Sequence, residues 1–234
     1  MITVIGMGMG PAHLTGEAVE ALGECDYVVA ASKGPDDPLL GVRRAVCEAH
    51  GVELVVVADP ERDRDDPADY PAAVRTWHDA RVEAYRQVID ARGGRVGFLV
   101  WGDPALYDST IRIASELSPD LRVVPGISAP QILAARHRIV LHPVGQPVHV
   151  TTQRRMREAV DAGQTNLVVM LSAGLDLDGL DDWSIWWGAN LGTDSEELVA
   201  GRVGDVLAEL DAARDRAKSA AGWVMDVSLL RAPA

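Results

Sequence analysis

Cysteine is nearly missing from this sequence: Cys25 and Cys47 are the whole complement, and they form no C-x-x-C pair. That excludes a disulfide framework and a dithiol redox motif, and a reducing compartment is expected. Long hydrophobic runs are missing too. No stretch approaches the ~18 unbroken apolar residues of a membrane-spanning helix. The chain opens on an apolar run, Ile2 to Ile5, with neither a basic region before it nor a long hydrophobic segment after it. No secretory signal is therefore expected. Positive charge is also in short supply: 22 Lys and Arg stand against 35 Asp and Glu, a net charge of −13. Such a chain repels phosphate backbones, which argues against a nucleic-acid partner. The expectation is a cytoplasmic protein with no membrane association.

The 234 residues, 47% of them hydrophobic, allow one large domain or two small ones. A chain of this size can bury roughly 70% of its unfolded surface and needs no disulfide or metal to hold its fold. The acids concentrate in Asp59–Asp69 and Asp176–Asp182, both rich in Pro or Gly, and both read as solvated loops.

The first half alternates short apolar runs with amphipathic stretches. Strands are expected at Thr3–Ile5, Tyr27–Ala31, Leu54–Ala58, Val96–Trp101 and Leu121–Val124. Helices are expected at Leu14–Leu22, with Thr15 as N-cap, and at Leu39–His50, Pro71–Ala91 and Ser109–Leu117. This β-α-β alternation implies parallel strands joined by helical crossovers. Leu141–Pro147, with three Pro or Gly residues, reads as a linker. Beyond it, strands are expected at Val148–Thr152, Leu167–Leu171, Ile185–Gly188 and Trp223–Leu230, and helices at Arg154–Val160 and Val203–Arg214. The second half reads as a smaller α/β layer with a mixed sheet. No internal repeat or low-complexity tract occurs.

Ligands of open α/β sheets sit beyond the carboxyl ends of the strands. The informative loops are therefore Gly6–Thr15, Ser32–Pro38, Gly102–Ser109 and Pro125–Pro130. The first contains Gly6-Met7-Gly8-Met9-Gly10-Pro11 and suggests a dinucleotide fingerprint, G-x-G-x-x-G. Pro11 or His13 occupies the third glycine position, depending on the start, and the second strand ends Ala31-Ser32-Lys33 without the acid that would hold a ribose. A dinucleotide-dependent oxidoreductase is disfavoured on both counts. Gly126-Ile127-Ser128 begins like a nucleophile elbow but has Pro130 where the second glycine belongs. The six histidines form no H-E-x-x-H or finger pattern, so no metal site is expected.

In order, each after an apolar strand, come a G-x-G-x-G loop with Leu14-Thr15, then Trp101-Gly102-Asp103-Pro104-Ala105-Leu106-Tyr107, then Val124-Pro125-Gly126-Ile127-Ser128-Ala129. That ordered set resembles the tetrapyrrole (corrin/porphyrin) methyltransferases over essentially the whole chain. Gly192-Thr193 and Gly201-Arg202-Val203 match weaker signatures of the family. Longer matches, at Lys33-Gly34, Asp59–Arg64, Val100–Thr110 and Ala134–Ile139, resemble the members that methylate a corrin precursor, precorrin-5, at carbon 1 and release acetate. The chain departs from the pattern at Pro11-Ala12, where relatives usually have Asp, and at Ser32, where many have an acid.

The resemblance implies two α/β domains, residues 1–142 with a parallel sheet and 148–234 with a mixed one. It places S-adenosyl-L-methionine, converted to S-adenosyl-L-homocysteine, in the cleft between them. It carries cofactor contacts over to Met9, Trp101, Gly102, Asp103, Leu106, Ser128, Ala129, Leu171 and Gly192, and it implies a homodimer. Asp103, Tyr107 and Asp108 are the candidate catalytic residues, the last two as bases for acetyl removal. A polycarboxylate substrate needs cations. Arg154 and Arg155, with Arg157, open a helix and are the first candidates, and Arg136-His137-Arg138 form a second cluster. Methylation at another carbon of a precorrin or of uroporphyrinogen is the alternative within the family.

Overall fold

The computed structural model describes residues 1–34, 37–60, 70–172 and 174–233. Most of the Asp59–Asp69 acidic run, including Glu61-Arg62-Asp63-Arg64, lies outside them. The described chain forms two compact units, Met1–Ile127 and Ser128–Ala234.

The first unit is built on five parallel strands: β1 (Ile2–Gly6), β2 (Tyr27–Ser32), β3 (Glu53–Ala58), β4 (Val96–Val100) and β5 (Leu121–Val124). Their order across the sheet is β3-β2-β4-β1-β5. Every residue of β1 and β4 is buried. Strands covered on both faces read as unbroken apolar runs rather than alternating ones; VGFLV does so, and ITVIG does so but for the buried Thr3. The crossovers from β1 to β2 and from β2 to β3 run one way across the sheet, and those from β3 to β4 and from β4 to β5 run the other. Right-handed connections put opposite directions on opposite faces. Accordingly α1 (Gly16–Gly23) and α2 (Pro38–Ala49) pack with Ile5, Val28 and Leu99 on one face. On the other, α3 (Tyr70–Arg92) and α4 (Thr110–Leu117) pack with Val4, Val29 and Phe98.

Local signals set the helix starts. The Ala18 amide donates to Thr15 Oγ1 at 3.1 Å, so Thr15 is the N-cap the sequence suggested. Asp37 Oδ1 accepts from the amides of Leu39 and Leu40, and Pro38 follows it at the first helical position. Cys25 and Cys47 are buried and unpaired, and burial pushes both thiols up to about 11, so they are poor nucleophiles.

The second unit carries a mixed five-stranded sheet of β6 (His149–Thr152), β7 (Asn166–Met170), β8 (Ser184–Ala189), β9 (Glu197–Arg202) and β10 (Asp226–Arg231), in the order β6-β7-β10-β8-β9. Only β6 and β7 pair in parallel. The core on one face joins α6 (Gln153–Asp161) and α7 (Val203–Ala221) to Leu167, Val169, Ile185 and Trp187. A further helix, α5 (Ala129–His137), packs on β8 and β10.

Besides α5 and β9, which the sequence did not lead us to expect, the structure departs from the sequence reading in three places. The boundary between units falls at 127/128, before α5, and not at 142–148. The reason is visible in the tethers: Asn166 Nδ2 donates to the Leu141 and Pro147 carbonyls, each at 3.0 Å, and Arg231 Nη2 donates to the Val140 carbonyl at 3.2 Å. The segment read as a linker is therefore bound along β7 and β10. The run Asp176–Asp182 is not simply solvated, since Leu177 and Leu180 insert into the core between its acids. Third, α7 extends to Ala221 and stops at Gly222, a left-handed cap. Among the described residues, no helix is long and apolar enough to cross a membrane.

Candidate active site

At the carboxyl end of the parallel sheet, three loops form one block. The Met7 amide donates to the Val100 carbonyl at 2.8 Å. Gly8 and Gly102 then exchange both backbone bonds, at 3.2 and 2.8 Å. A Cβ on Gly126 would lie 2.2 Å from the Gly102 carbonyl oxygen, and one on Gly6 would lie 2.5 Å from the Gly126 nitrogen. The glycines of the three motifs thus serve backbone-to-backbone contact within the protein. Gly8 also turns tightly against His13, whose Cβ would be 2.5 Å from an added Cβ.

Asp103 fastens this block. Its Oδ1 accepts from the Ala105 amide at 2.8 Å and its Oδ2 from the Gly126 amide at 2.9 Å. Both carboxylate oxygens are committed to backbone in two different loops. The geometry therefore gives Asp103, a candidate catalytic residue in the sequence, the part of holding the block in position. The Leu106 amide closes the turn on the Asp103 carbonyl at 3.2 Å. Met9 is buried, while Trp101 and Leu106 are half-buried. Tyr107 follows in the left-handed region, φ 52°, with 47% of its surface exposed. Asp108 Oδ1 accepts from the Thr110 amide at 2.5 Å and starts α4.

The second unit has its own organised loops. Leu171, directly after β7, is left-handed at φ 56° and 63% exposed. A bulky apolar side chain held open in that region is unusual, and such strain gathers at functional positions. The next residue is anchored: Ser172 Oγ donates to Asp226 Oδ1 at 2.5 Å. Asp226 is buried, accepts from Trp187 Nε1 at 3.2 Å, and forms an ion pair with Arg214. Ser172→Ala should therefore remove one charge-assisted bond, worth about 1.5 kcal/mol, and lower the melting midpoint by ~3–6 °C. An unshifted midpoint in calorimetry would show that the anchor is not made in solution.

After β8, Asn190 is fully buried and left-handed at φ 49°. Its side chain accepts from the Met225 amide and donates to Ser195 Oγ and the Trp223 carbonyl, which fixes the loop that carries Gly192. The Gly192 amide donates to Glu196 Oε2 at 2.6 Å, and Glu196 Oε1 holds Arg136 Nε at 2.8 Å. Ser128 caps α5, with Gln131 Oε1 accepting from both its amide and its hydroxyl at 2.8 Å. The adjoining Ala129 is the first residue of α5 and half-buried.

The cation clusters look different once paired. Arg136 is taken by Glu196, His137 Nε2 lies 2.9 Å from the Trp187 carbonyl oxygen, and Arg138 is the left-handed cap of α5. That cluster is structural. At α6, Arg155 is held in a bidentate pair by Glu158, at 2.9 and 2.6 Å. Arg157 reaches back to the Asp178 carbonyl at 2.8 Å, and Arg154 is exposed.

A cavity of about 290 Å³ lies within the first unit, against the carboxyl ends of β2 and β4. Tyr107 and Asp108 line it, together with Lys33. So do Arg43, Arg81 and Tyr85, which carry no motif and which sequence reasoning did not single out.

Comparison with known proteins agrees with this architecture. The family described as Tetrapyrrole (Corrin/Porphyrin) Methylases matches residues 1–207. A precorrin-6A synthase [deacetylating] of Sinorhizobium sp is 38% identical, covering 98% of this chain and 94% of that protein. The crystal structure of a cobalamin synthesis related protein, CobF, of Corynebacterium diphtheriae superposes with a TM-score of 0.84 at 34% identity, covering 99% of this chain and 98% of that one. A uroporphyrin-III C-methyl transferase of Thermus thermophilus, complexed with S-adenyl homocysteine, shares the fold at a TM-score of 0.59 and 18% identity, covering 98% of this chain and 96% of that one. With residues 1–207 matched by the family and its three loops in order, the chain belongs to the tetrapyrrole (corrin/porphyrin) methylases.

Proposed function

We propose that this chain transfers the methyl group of S-adenosylmethionine to carbon 1 of precorrin-5 and releases acetate, giving precorrin-6A. The observation that carries the reading is its near-full-length likeness, at 38% identity, to a precorrin-6A synthase [deacetylating]. The residues present fit a nucleoside thioether. In the first unit, Gly102 lacks a side chain and sits at φ 71° beside the half-buried Trp101 and Leu106. In the second, Leu171 offers an open apolar surface next to an anchored loop. The proposed cofactor contacts are Met9, Trp101, Gly102, Asp103 and Leu106 in the first unit, and Ser128, Ala129, Leu171 and Gly192 in the second.

When bound, the cofactor supplies a methyl group on a sulfonium, open to in-line displacement. The chain's own contribution is position, which can supply ~7–11 kcal/mol of the barrier. Asp103 locks the loop block, and Glu196 and Asp226 lock the loops of the second unit. Acetyl removal needs a base for the attacking water. Asp108 is proposed for it: only one of its oxygens is committed to backbone, and Tyr107 beside it lines the same cavity. Arg154 at the first turn of α6 is the proposed contact for a substrate carboxylate. Arg155 would join it only on leaving Glu158. A cytoplasmic homodimer completes the proposal.

The test is incubation with precorrin-5 and S-adenosylmethionine, read by mass spectrometry. One S-adenosylhomocysteine and one acetate per turnover are expected, with a product that has gained a methyl and lost two carbons. Methyl transfer without acetate would assign the chain to another carbon of the macrocycle. No transfer to any corrin precursor would leave the family fold without this activity.

A further inference from the structure

Arg43 sits in the middle of α2, where a surface helix would leave it to solvent. Instead its Nε donates to the Leu99 carbonyl at 2.9 Å and its Nη1 to the Leu39 carbonyl at 3.3 Å. These bonds hold the guanidinium against β4, on the wall of the cavity. Arg43 is half-buried, and the partial loss of water pushes its pKa down. A guanidinium has five N–H donors, and two are used here. Among the described residues, no carboxylate lies within ion-pair distance of it. Buried charges are normally paired, because an unpaired one is costly.

Of the neighbouring acids, Asp37 is committed through both oxygens and Asp108 through one. Asp37 gives Oδ1 to the amides of Leu39 and Leu40 and Oδ2 to the Lys33 amide. Asp108 gives Oδ1 to Thr110. Arg81 is already neutralised by Asp59 at 2.7 Å and lies 4.2 Å over the Trp77 ring. Arg43 and the exposed Lys33 form no ion pair among the described residues, although Asp37 and Asp108 share the wall and act on Arg43 from beyond pairing distance. Buried Tyr85 stays protonated there, its pKa raised by desolvation.

Three of the four segments that looked specific in sequence meet at the same place. Lys33 and Tyr107–Thr110 line the cavity, Asp59 holds its Arg81, and the Pro60 carbonyl accepts from its Trp77 at 3.1 Å. The geometry points to a carboxylate subsite: this cavity takes a small carboxylate, anchored by Arg43 and assisted by Lys33. At about 290 Å³ it is at the lower limit of small-ligand pockets, so it suits one side arm or one acetate rather than a macrocycle. The choice of ligand rests on the proposed function, in which the substrate is a polycarboxylate and acetate is a product. A side arm and released acetate share the chemistry.

The test uses the full chain and two probes, ¹³C-acetate line broadening and the KM for precorrin-5. Arg43→Met keeps the side-chain length and removes the charge. It should weaken acetate binding or raise KM at least tenfold, with S-adenosylhomocysteine affinity unchanged and partial recovery in Arg43→Lys. Loss of acetate binding at constant KM identifies the product as the occupant, and a raised KM without acetate binding identifies a side arm. Wild-type values on both readouts would overturn the subsite. If circular dichroism shows Arg43→Met unfolded, Lys33→Met is read instead: a threefold or greater effect on either probe supports the subsite, and none refutes it. Acetate binding needs no cofactor. A wild-type chain that binds acetate but not S-adenosylhomocysteine would refute the methyltransferase reading while leaving the subsite standing.

Discussion

Gly126→Ala is expected to cost at least ~3 kcal/mol and to abolish methyl transfer. The new methyl would sit 2.2 Å from the Gly102 carbonyl oxygen and 2.8 Å from two backbone atoms of Gly6. Overpacking a core ordinarily costs ~1–3 kcal/mol because flexible side chains give way. Here every obstacle is backbone, and none can retreat. Gly102 is tied to Gly8 in both directions, and Gly6 is the last residue of a fully buried strand. For a chain of this length the loss corresponds to a melting midpoint lowered by ~6–12 °C. Gly16→Ala provides the control, because an added Cβ there meets nothing within 4 Å. Calorimetry on both variants decides the matter: a wild-type midpoint in Gly126→Ala would mean that the three loops are not packed as described.

The same glycines show why part of this site was legible in sequence. A turn that brings backbone against backbone admits almost no other residue, so Gly6, Gly102 and Gly126 marked it without any partner being known. Fully buried parallel strands were legible for a similar reason, since VGFLV has no polar position and ITVIG only the buried Thr3. Thr15 announced α1 through a cap that depends on three neighbouring residues.

What the sequence hid depends on distant partners. α5 shows no apolar stripe, because Ala129–His137 packs through Pro130, Ile132 and Leu133 and ends in basic residues that bind Glu196 and the Trp187 carbonyl. Its signal was at the start: Ser128 with Gln131 three residues on, and Pro130 in the first turn. β9 ends Ala200-Gly201-Arg202 with no apolar run to announce it, and pairing along β8 makes it a strand. The cations were misjudged most. Arg136 and Arg155 looked available until Glu196 and Glu158 were placed beside them, whereas Arg43, which carries no motif, is held inward by the Leu99 carbonyl. A charge's availability is a tertiary property, and spacing along the chain does not encode it.

Asp103→Asn and Asp103→Ala are expected to fail together, each losing at least a hundredfold in kcat/KM, with the shape of the pH profile unchanged. The carboxylate accepts from two amides in two loops, Ala105 at 2.8 Å and Gly126 at 2.9 Å. An asparagine side chain has one accepting oxygen and one NH₂ group, so whichever way it turns, one backbone N–H faces another donor. Alanine leaves both without a partner. A charge-assisted bond is worth ~1.5–3 kcal/mol, and a loop block released by about 1 Å can lose two orders of magnitude in rate through misplacement alone. Retention of the pH profile is the reading that separates this role from proton transfer. A group that only positions the loops does not set a limb of the profile, whereas a general base does. If Asp103→Asn flattened one limb, Asp103 would be the proton carrier and its two backbone bonds incidental. If Asp103→Asn kept wild-type turnover while Asp103→Ala did not, a single accepting oxygen would suffice to hold the block, and the second bond to Gly126 would carry no weight in catalysis.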